Sequence, residues 1–441
     1  MWALHHATQT QATVWVRHTA NGLVTVQCNG QIYSGDTIDT AVNDGCGVCT
    51  VTGLASGTSY QFSLYVGGDL IVTATLKTLP ATGSTFTLGF GTCSNYNREQ
   101  MPLHGLLKYA PDLIGFAWLG DQIYADAPKS GASYTGYGET ILRVESDSPL
   151  DEATTMAQLY SHYRLYWKNL GNQAMHHACP NWFVGDDHDH GPGNDWDWTI
   201  ANANANVVWA TTQQQVDDMG AWCNTAFRAY CKGNPDLVNL YYKVSINADC
   251  DAWFVDGVQY RDAVDDTGTT CLGATQLAWL LDGLAASTAT WKLVMCTKNL
   301  YGGADDFTHY PAERAVIEDT ILAAAGWAKP GGVVWLSGDI HYPYASYNVS
   351  KKLLNVCSSP IGAETKSTVV DGFLSNMIYK STGYFSTGAT DVDSYQATGF
   401  VRVEGSNKLT VGLVDPAGNV RWSTSLEPLS NEINYPQMRF G

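Results

Sequence analysis

The sequence predicts an α/β protein, a four-layer α/β/β/α sandwich preceded by a small antiparallel β-sandwich. Three observations predict it. Residues 1 to about 80 alternate apolar and polar side chains in short runs such as ATVWVRH and SYQFSLYV, separated by Gly, Asn and Asp turns. That is the pattern of antiparallel strands with one buried face. From about Thr85, apolar runs alternate with helical segments, the signature of sheets covered by helices. Phe400 to Leu426 then alternates again around Asp415-Pro416-Ala417-Gly418, a terminal hairpin.

Composition narrows the function. A chain of 441 residues divides into two or three domains, or one large domain with an appendage. Hydrophobic content of 45% and aromatic content of 12% supply a real core and exclude general disorder. No segment approaches the roughly 18 consecutive apolar residues of a membrane helix. The net charge of −18, from 42 acids against 24 bases, repels polyanions and so argues against nucleic acid and anionic membranes as partners. Low Lys and Arg content, abundant Thr, Asn, Gly, Tyr and Trp, and eleven cysteines suggest an exported, secreted or periplasmic protein. No signal peptide opens the chain, so a mature form is expected. Cys46 and Cys49 in a Gly-rich CGVC turn are expected to form a local disulfide. Cys179, Cys223, Cys231, Cys250 and Cys271 are read as one or two further disulfides plus buried thiols. The odd total reserves one cysteine, Cys93, as a ligand.

The elements follow in order. Within residues 1–80, the segment Leu54 to Tyr60 looks like the turn before a late strand of a fibronectin-III-like module. Thr78 to Ser84 is a linker, and the second domain spans residues 85–426. It opens with a strand, Thr85 to Cys93, and a helix, Met101 to Tyr109, stopped by Pro111-Asp112. The central strand is Leu113 to Leu119. Residues 125–178 form an insertion: a Gly/Ser/Asp-rich surface loop to Ser148, then a helix over Leu159 to Leu170. A long helix is expected over Thr199 to Cys231, two strands over Leu240 to Arg261, and an amphipathic helix over Ala274 to Ser287. A buried strand, Trp291 to Lys298, and a helix, Pro311 to Trp327, precede the strands ending at Ser337, Val349 and Cys357. Residues 361–395 read as irregular, and 427–441 as a tail.

Four apolar strands end in metal-capable side chains. Thr85 to Cys93 ends on Cys93. Leu113 to Leu119 runs into Gly120-Asp121, with Tyr124 three residues on. Trp182 to Val184 leads into Gly185-Asp186-Asp187-His188-Asp189-His190, and Val333 to Ser337 into Gly338-Asp339-Ile340-His341. Ligand sites of α/β sheets lie at such C-terminal strand edges. Mostly hard oxygen donors, with one thiolate and one or two imidazoles, suit iron beside a hard divalent ion better than a structural zinc. Aspartates this close stay ionised together only around a cation, and a metal pair bridged by Asp121 satisfies that.

Cys-Ser at 93–94, Gly-Asp-x-x-Tyr at 120–124, Asp-Asp-His-Asp at 186–189 and Gly-Asp-x-His at 338–341, in this order, resemble the PhoD-like alkaline phosphatase/phosphodiesterase family. That family belongs to the calcineurin-like and purple-acid-phosphatase metallophosphoesterases, and the resemblance covers residues 1 to about 425. It implies hydrolysis of small phosphate esters by a bimetal-activated hydroxide. The first metal, Fe3+, would be held by Cys93, Asp121, Tyr124 and His341. The second, Ca2+, Zn2+ or Mn2+, would be held by Asp121, Asp187, Asn194 and Asp339. His188 stands where the family places a histidine near the leaving group. Two arginines typically follow the position of Asp256; here the first is Val258 and Arg261 remains, which favours diesters or triesters over monoesters, unless Arg98, Arg261 or Lys298 supplies the charge. An added glycine after His190, and His190 itself in place of an aromatic residue, also depart from the pattern. The competing reading is a non-catalytic extracellular protein that keeps the fold for calcium-dependent binding or assembly.

Overall fold

The computed structural model describes residues 1–94, 101–124, 134–136, 139–141, 153–191, 212–262, 270–302, 306–323, 332–348, 350–362, 377–380 and 396–428. The N-terminal alternation folds into two facing antiparallel sheets. One pairs Trp2–Ala7, Gln11–Arg17 and Cys46–Thr52; the other orders Gln31–Ile38, Gly22–Cys28, Ser59–Val66 and Asp69–Lys77. This is the expected sandwich.

The cysteine expectation is corrected. None of the eleven cysteines is in a disulfide, and all are buried. Cys46 and Cys49 lie in the extended strand Cys46–Thr52 rather than in a turn. Three residues of strand span about 10 Å, beyond the roughly 7 Å that a disulfide tolerates between Cα atoms. Their side chains enter different core clusters, Cys46 with Trp15 and Cys49 with Val14. Apart from Cys93, the remaining cysteines are small buried residues of the core.

The sandwich is docked onto a helix layer by buried polar contacts. The Trp15 indole donates to the Ala229 carbonyl at 2.9 Å. The Asp44 carboxylate accepts from Arg17 Nε at 2.7 Å, Arg164 Nη1 at 2.6 Å and the Tyr230 hydroxyl at 2.7 Å.

From Thr85 onward, two sheets stack face to face. The first orders Asn181–Val184, Leu113–Leu119, Thr85–Gly91, Thr398–Glu404, Lys408–Val414 and Val420–Leu426; its first three strands are mutually parallel. The second orders Tyr242–Asn247, Cys250–Val255, Trp291–Cys296, Val333–Ser337, Leu353–Cys357, Tyr344–Asn348 and Met377–Lys380. Cys250–Val255 through Leu353–Cys357 are parallel. Leu88, Phe90 and Leu119 of the first sheet share one core with Phe254, Met295 and Leu336 of the second. Helices Met101–Tyr109, Met156–Trp167, Leu170–Ala178 and Gln213–Tyr230 cover the outer face of the first sheet through a cluster around Phe116, Trp118 and Phe183. Gly273–Ala286 and Pro311–Ala323 cover the second around Trp253 and Trp335. The layers are therefore α/β/β/α, as predicted.

Local departures have local causes. Thr155 caps the insertion helix by accepting from the Gln158 amide, moving its start forward to Met156. A second helix, Leu170–Ala178, follows because Asn169 caps it; its short, Gly- and His-containing sequence carries little periodicity. The helix expected over 199–231 is Gln213–Tyr230, started by a Thr212/Gln215 capping box; residues 192–211 lie outside the described residues. Within the expected surface loop, Tyr134–Gly136 pairs with Glu139–Ile141 as a short hairpin. The terminal hairpin is a three-strand meander, because Lys408–Val414 pairs on both sides.

Candidate metal centre

Parallel strands from both sheets stop at one shared edge, and each delivers a polar side chain there. Thr85–Gly91 leads to Cys93, Leu113–Leu119 to Asp121, and Asn181–Val184 to Asp186 and Asp187. From the second sheet, Trp291–Cys296 leads to Lys298, Val333–Ser337 to Asp339 and His341, and Leu353–Cys357 to Ser359. The backbone pays for the convergence. Cys93, Asp121, Asp339 and His341 all hold positive φ, at 59°, 52°, 71° and 57°, a conformation that costs a side-chain-bearing residue about 1–2 kcal/mol. Strain of this kind persists only where the surroundings enforce it. Here the Cys93 amide donates to the Gly120 carbonyl at 3.3 Å and the Ser94 amide to the Asp121 carbonyl at 2.9 Å. Gly120, at φ 90°, has no room for a Cβ, which would sit 2.4 Å from Asp186 Cβ.

Two ligand groups result. Cys93, Asp121 and His341 form one, and Asp121, Asp186, Asp187 and Asp339 the other; within each, the donor atoms lie within 4.8 Å of one another. Asp121 belongs to both. Cys93 Sγ is 3.4 Å from Asp121 Oδ2, and the Tyr124 hydroxyl is 3.1 Å from the same oxygen and 3.2 Å from His341 Nε2. Ser359 Oγ donates to Cys93 Sγ at 3.2 Å and accepts from the His341 amide at 3.1 Å, tying the two sheets' contributions together.

The electrostatics of this edge call for a cation. Burial, reinforced by Asp187 and Asp339, pushes Asp121 up to about 7 although His188 acts against it. Burial also pushes the Cys93 thiol and the Tyr124 phenol well up, with Asp121 adding to each. Asp121 Oδ1 is buried without a hydrogen-bond partner. A bound metal would favour the ionised form of all these groups. Thiolate, phenolate, imidazole and carboxylate donors fit an iron-like ion.

The second group is different. The Lys298 ammonium, 1% exposed, lies 2.8 Å from Asp186 Oδ1, 3.0 Å from Asp339 Oδ2 and 3.6 Å from Asp187 Oδ1. The carboxylates suit a hard divalent ion, but a cation is already placed among three of them. The four carboxylates form a group that could hold a metal ion, and Lys298 competes with such an ion for three of them.

The Asp186–His190 segment divides its labour. Asp186 caps the short helix Asp187–His190. Asp189 is buried; its Oδ1 accepts from the Gln122 amide at 3.1 Å and its Oδ2 from the Asp186 amide at 3.0 Å, so it clamps two site loops together. His190 is fully buried, with Nδ1 3.0 Å from Asn224 Oδ1 and Nε2 3.8 Å from Asp256 Oδ2. It packs over Gly185, where a Cβ would meet Nε2 at 2.0 Å. His188 is half-buried where the rest of the segment is buried, and its ring lies 4.3 Å from that of Tyr124. Arg261 is half-buried and contributes, after Lys298 and His188, to holding Asp187 low against its burial. Val258 is buried, and its amide donates to Asp256 Oδ1 at 2.8 Å. Asn194 and Arg98 lie outside the described residues.

Three residues at this edge escaped the sequence reading. Asp186 had a signal: it ends a buried strand directly before Asp187. Lys298 closes an apolar strand at the same edge, yet its charge was assigned to phosphate rather than to the carboxylates. Ser359 had no signal, since only the packing of the two sheets brings it to Cys93.

A ligand cluster at the shared edge of two stacked sheets between helix layers is the architecture of a metal-dependent phosphoesterase. Residues 88–409 match the family described as PhoD-like phosphatase, and residues 3–83 match a domain of unknown function, DUF7800. The chain belongs to the PhoD-like phosphatase family, and it is accordingly a metallophosphoesterase of the phosphatase/phosphodiesterase class. The solved structure of PhoD superposes over 100% of this chain and 92% of its own, with a TM-score of 0.76 at 17% identity. The purple acid phosphatase PPD1 from yellow lupin (Lupinus luteus) seeds superposes over 97% of this chain and 74% of its own, with a TM-score of 0.59 at 11% identity. At these identities the likeness is one of fold. No curated protein matches the chain in sequence.

Proposed function

We propose that this chain hydrolyses small phosphate esters, diesters and triesters ahead of monoesters, at the centre built around Asp121. The observation that carries the proposal is the position of Asp121, shared by a thiol–imidazole group and a carboxylate group that each draw ligands from both sheets. Cys93, Asp121, Tyr124 and His341 would hold an iron-like ion, which would supply Lewis acidity toward a phosphoryl oxygen and the attacking water.

The chain's own residues do the rest. Ser359 and Tyr124 fix the orientation of Cys93 and His341 through their hydrogen bonds. His188, half-buried beside Tyr124, protonates the leaving oxygen. Among the described residues, Arg261 acts on Asp187, and Val258 is buried. With one guanidinium in place of two, the site neutralises less of the charge of a doubly ionised monoester, which supports the preference. The net charge of −18 supports a small substrate over a polyanion.

A secreted or periplasmic location rests on composition, since cysteines outside disulfides lend it no further support. Among the described residues no helix is long and apolar enough to cross a membrane.

Metal analysis of the purified protein with its visible spectrum, followed by a panel of mono-, di- and triesters, tests this reading. Iron, phenolate colour and diester or triester turnover are expected. A metal-replete protein that turns over no ester would overturn it in favour of a binding protein that keeps the fold.

A further inference from the structure

We propose that Lys298 is the second cation of this centre: its ammonium stands in the carboxylate group in place of a second metal ion, and the chain loads one metal per molecule. The inference rests on the metallophosphoesterase reading above and concerns how that centre balances its charge.

The second ligand group gathers four carboxylates, three of them buried. One of them, Asp121, is shared with the thiol–imidazole group. The other three surround Lys298 Nζ at 2.8, 3.0 and 3.6 Å. An ammonium has three N–H donors and no acceptor capacity, so it cannot ligate a metal. Two of the carboxylates, Asp186 and Asp339, lie within hydrogen-bond reach of it, and Asp187 adds an ion pair at 3.6 Å. A divalent ion drawn to the same oxygens would face that fixed positive charge at close range.

The position of Lys298 is built into the fold. The residue is completely buried. It follows the Trp291–Cys296 strand, and its carbonyl accepts from the Trp335 indole at 3.0 Å. Its stem crosses Gly257, where a Cβ would lie 2.8 Å from Lys298 Cγ. Neighbouring strand ends deliver acceptors, Asp339 on one side and Asp256 on the other, and this one delivers the cation. A lysine here is therefore not a surface charge that happens to reach inward. Two oxygens of the three ion-paired carboxylates, Asp186 Oδ2 and Asp187 Oδ1, have no hydrogen-bond partner, and each accepts a water as readily as a metal.

Metal stoichiometry tests the proposal without reference to turnover. The apoprotein is titrated with excess Mn2+ and Ca2+ and counted by elemental analysis after desalting, with Mn2+ electron paramagnetic resonance as a second readout. One ion per chain with the spectrum of an isolated Mn2+ is expected for the wild type. Lys298→Gln, which keeps the stem and removes the charge, is expected to bind a second ion and show a spin-coupled pair. Lys298→Arg keeps the charge and is expected to stay at one. Two ions in the wild type, or one ion in a folded Lys298→Gln, overturns the inference. If Lys298→Gln fails to fold, the wild-type count, its spectrum and the Lys298→Arg count still decide. A wild type that binds no metal at all sinks the metallophosphoesterase reading instead, so the two failures are distinguishable.

Discussion

The Tyr124 hydroxyl lies 3.2 Å from His341 Nε2 across 217 residues of sequence. The tyrosine follows the strand Leu113–Leu119 of the first sheet and the histidine follows Val333–Ser337, a central strand of the second. The contact is thus a direct measure of how closely the two sheets bring their edges together.

Tyr124→Phe removes the phenol oxygen from this contact and from Asp121, 3.1 Å away. Because phenolate-to-ferric charge transfer gives colour, the variant is expected to lose its visible band and to hold iron at least ten-fold more weakly, as removal of a direct ligand does at metal sites. Absorption spectra and metal content of matched preparations check this. An unchanged band would remove Tyr124 from the site.

His188→Ala is expected to lower kcat by about 10²–10³, within the usual range for a general acid. The loss should grow as the leaving group becomes a poorer one. A series of aryl and alkyl esters reads this directly. Equal losses across the series would show that His188 does not protonate the leaving oxygen.

Gly120→Ala places a Cβ 2.4 Å from Asp186 Cβ at a residue whose φ is 90°. A positive φ costs about 1–2 kcal/mol, and overpacking adds about 1–3 kcal/mol. The variant is expected to unfold at markedly lower denaturant and to lose metal, since Asp121 and Asp186 are pushed apart. Urea unfolding with and without iron separates the two effects. Wild-type stability in the variant would mean that the loop relaxes freely.

Acid stability is set away from the centre by buried histidines. Burial pushes His5 down to about 3 and His6 down to about 4, and His176 falls well below its ordinary value. Each is neutral in the folded state and has an ordinary value of about 6.5 when unfolded. The unfolded chain therefore binds more protons below about pH 6.5, and stability falls as pH drops from there toward 3–4. The limiting slope is about 1.4 kcal/mol per pH unit for each group. Asp121, raised to about 7 without metal, acts in the opposite direction. The decisive readout is therefore the change in slope in His5→Gln, expected to be one proton shallower than wild type between pH 6 and 4. An unaltered slope would show that His5 does not titrate on unfolding.

The ligand strands were legible because each is a short apolar run ending in a polar residue at a glycine turn. Leu113–Leu119 and Gly120-Asp121 need only the buried strand and the bend to be recognised. The alternation of residues 1–80 likewise names its sandwich, since the period of two follows directly from one buried face. The helix Leu170–Ala178 was not legible, because its cap and its packing, rather than its periodicity, hold it. The cysteines were misread because composition counts thiols without placing them; the extended backbone between Cys46 and Cys49 is what forbids a bridge.

The sequence by itself determined the order of elements, the α/β class and the identity of Cys93, Asp121, Tyr124, Asp187, Asp339 and His341 as candidates, since these depend on neighbours a few residues away. Only the tertiary structure decided that Asp186 joins the carboxylate group, that Asp189 and His190 serve the scaffold, and that Lys298 turns its charge on the carboxylates. Those outcomes depend on which strand ends share an edge. That is fixed by the burial of two apolar sheet faces against each other, an interaction between segments hundreds of residues apart that no local pattern encodes.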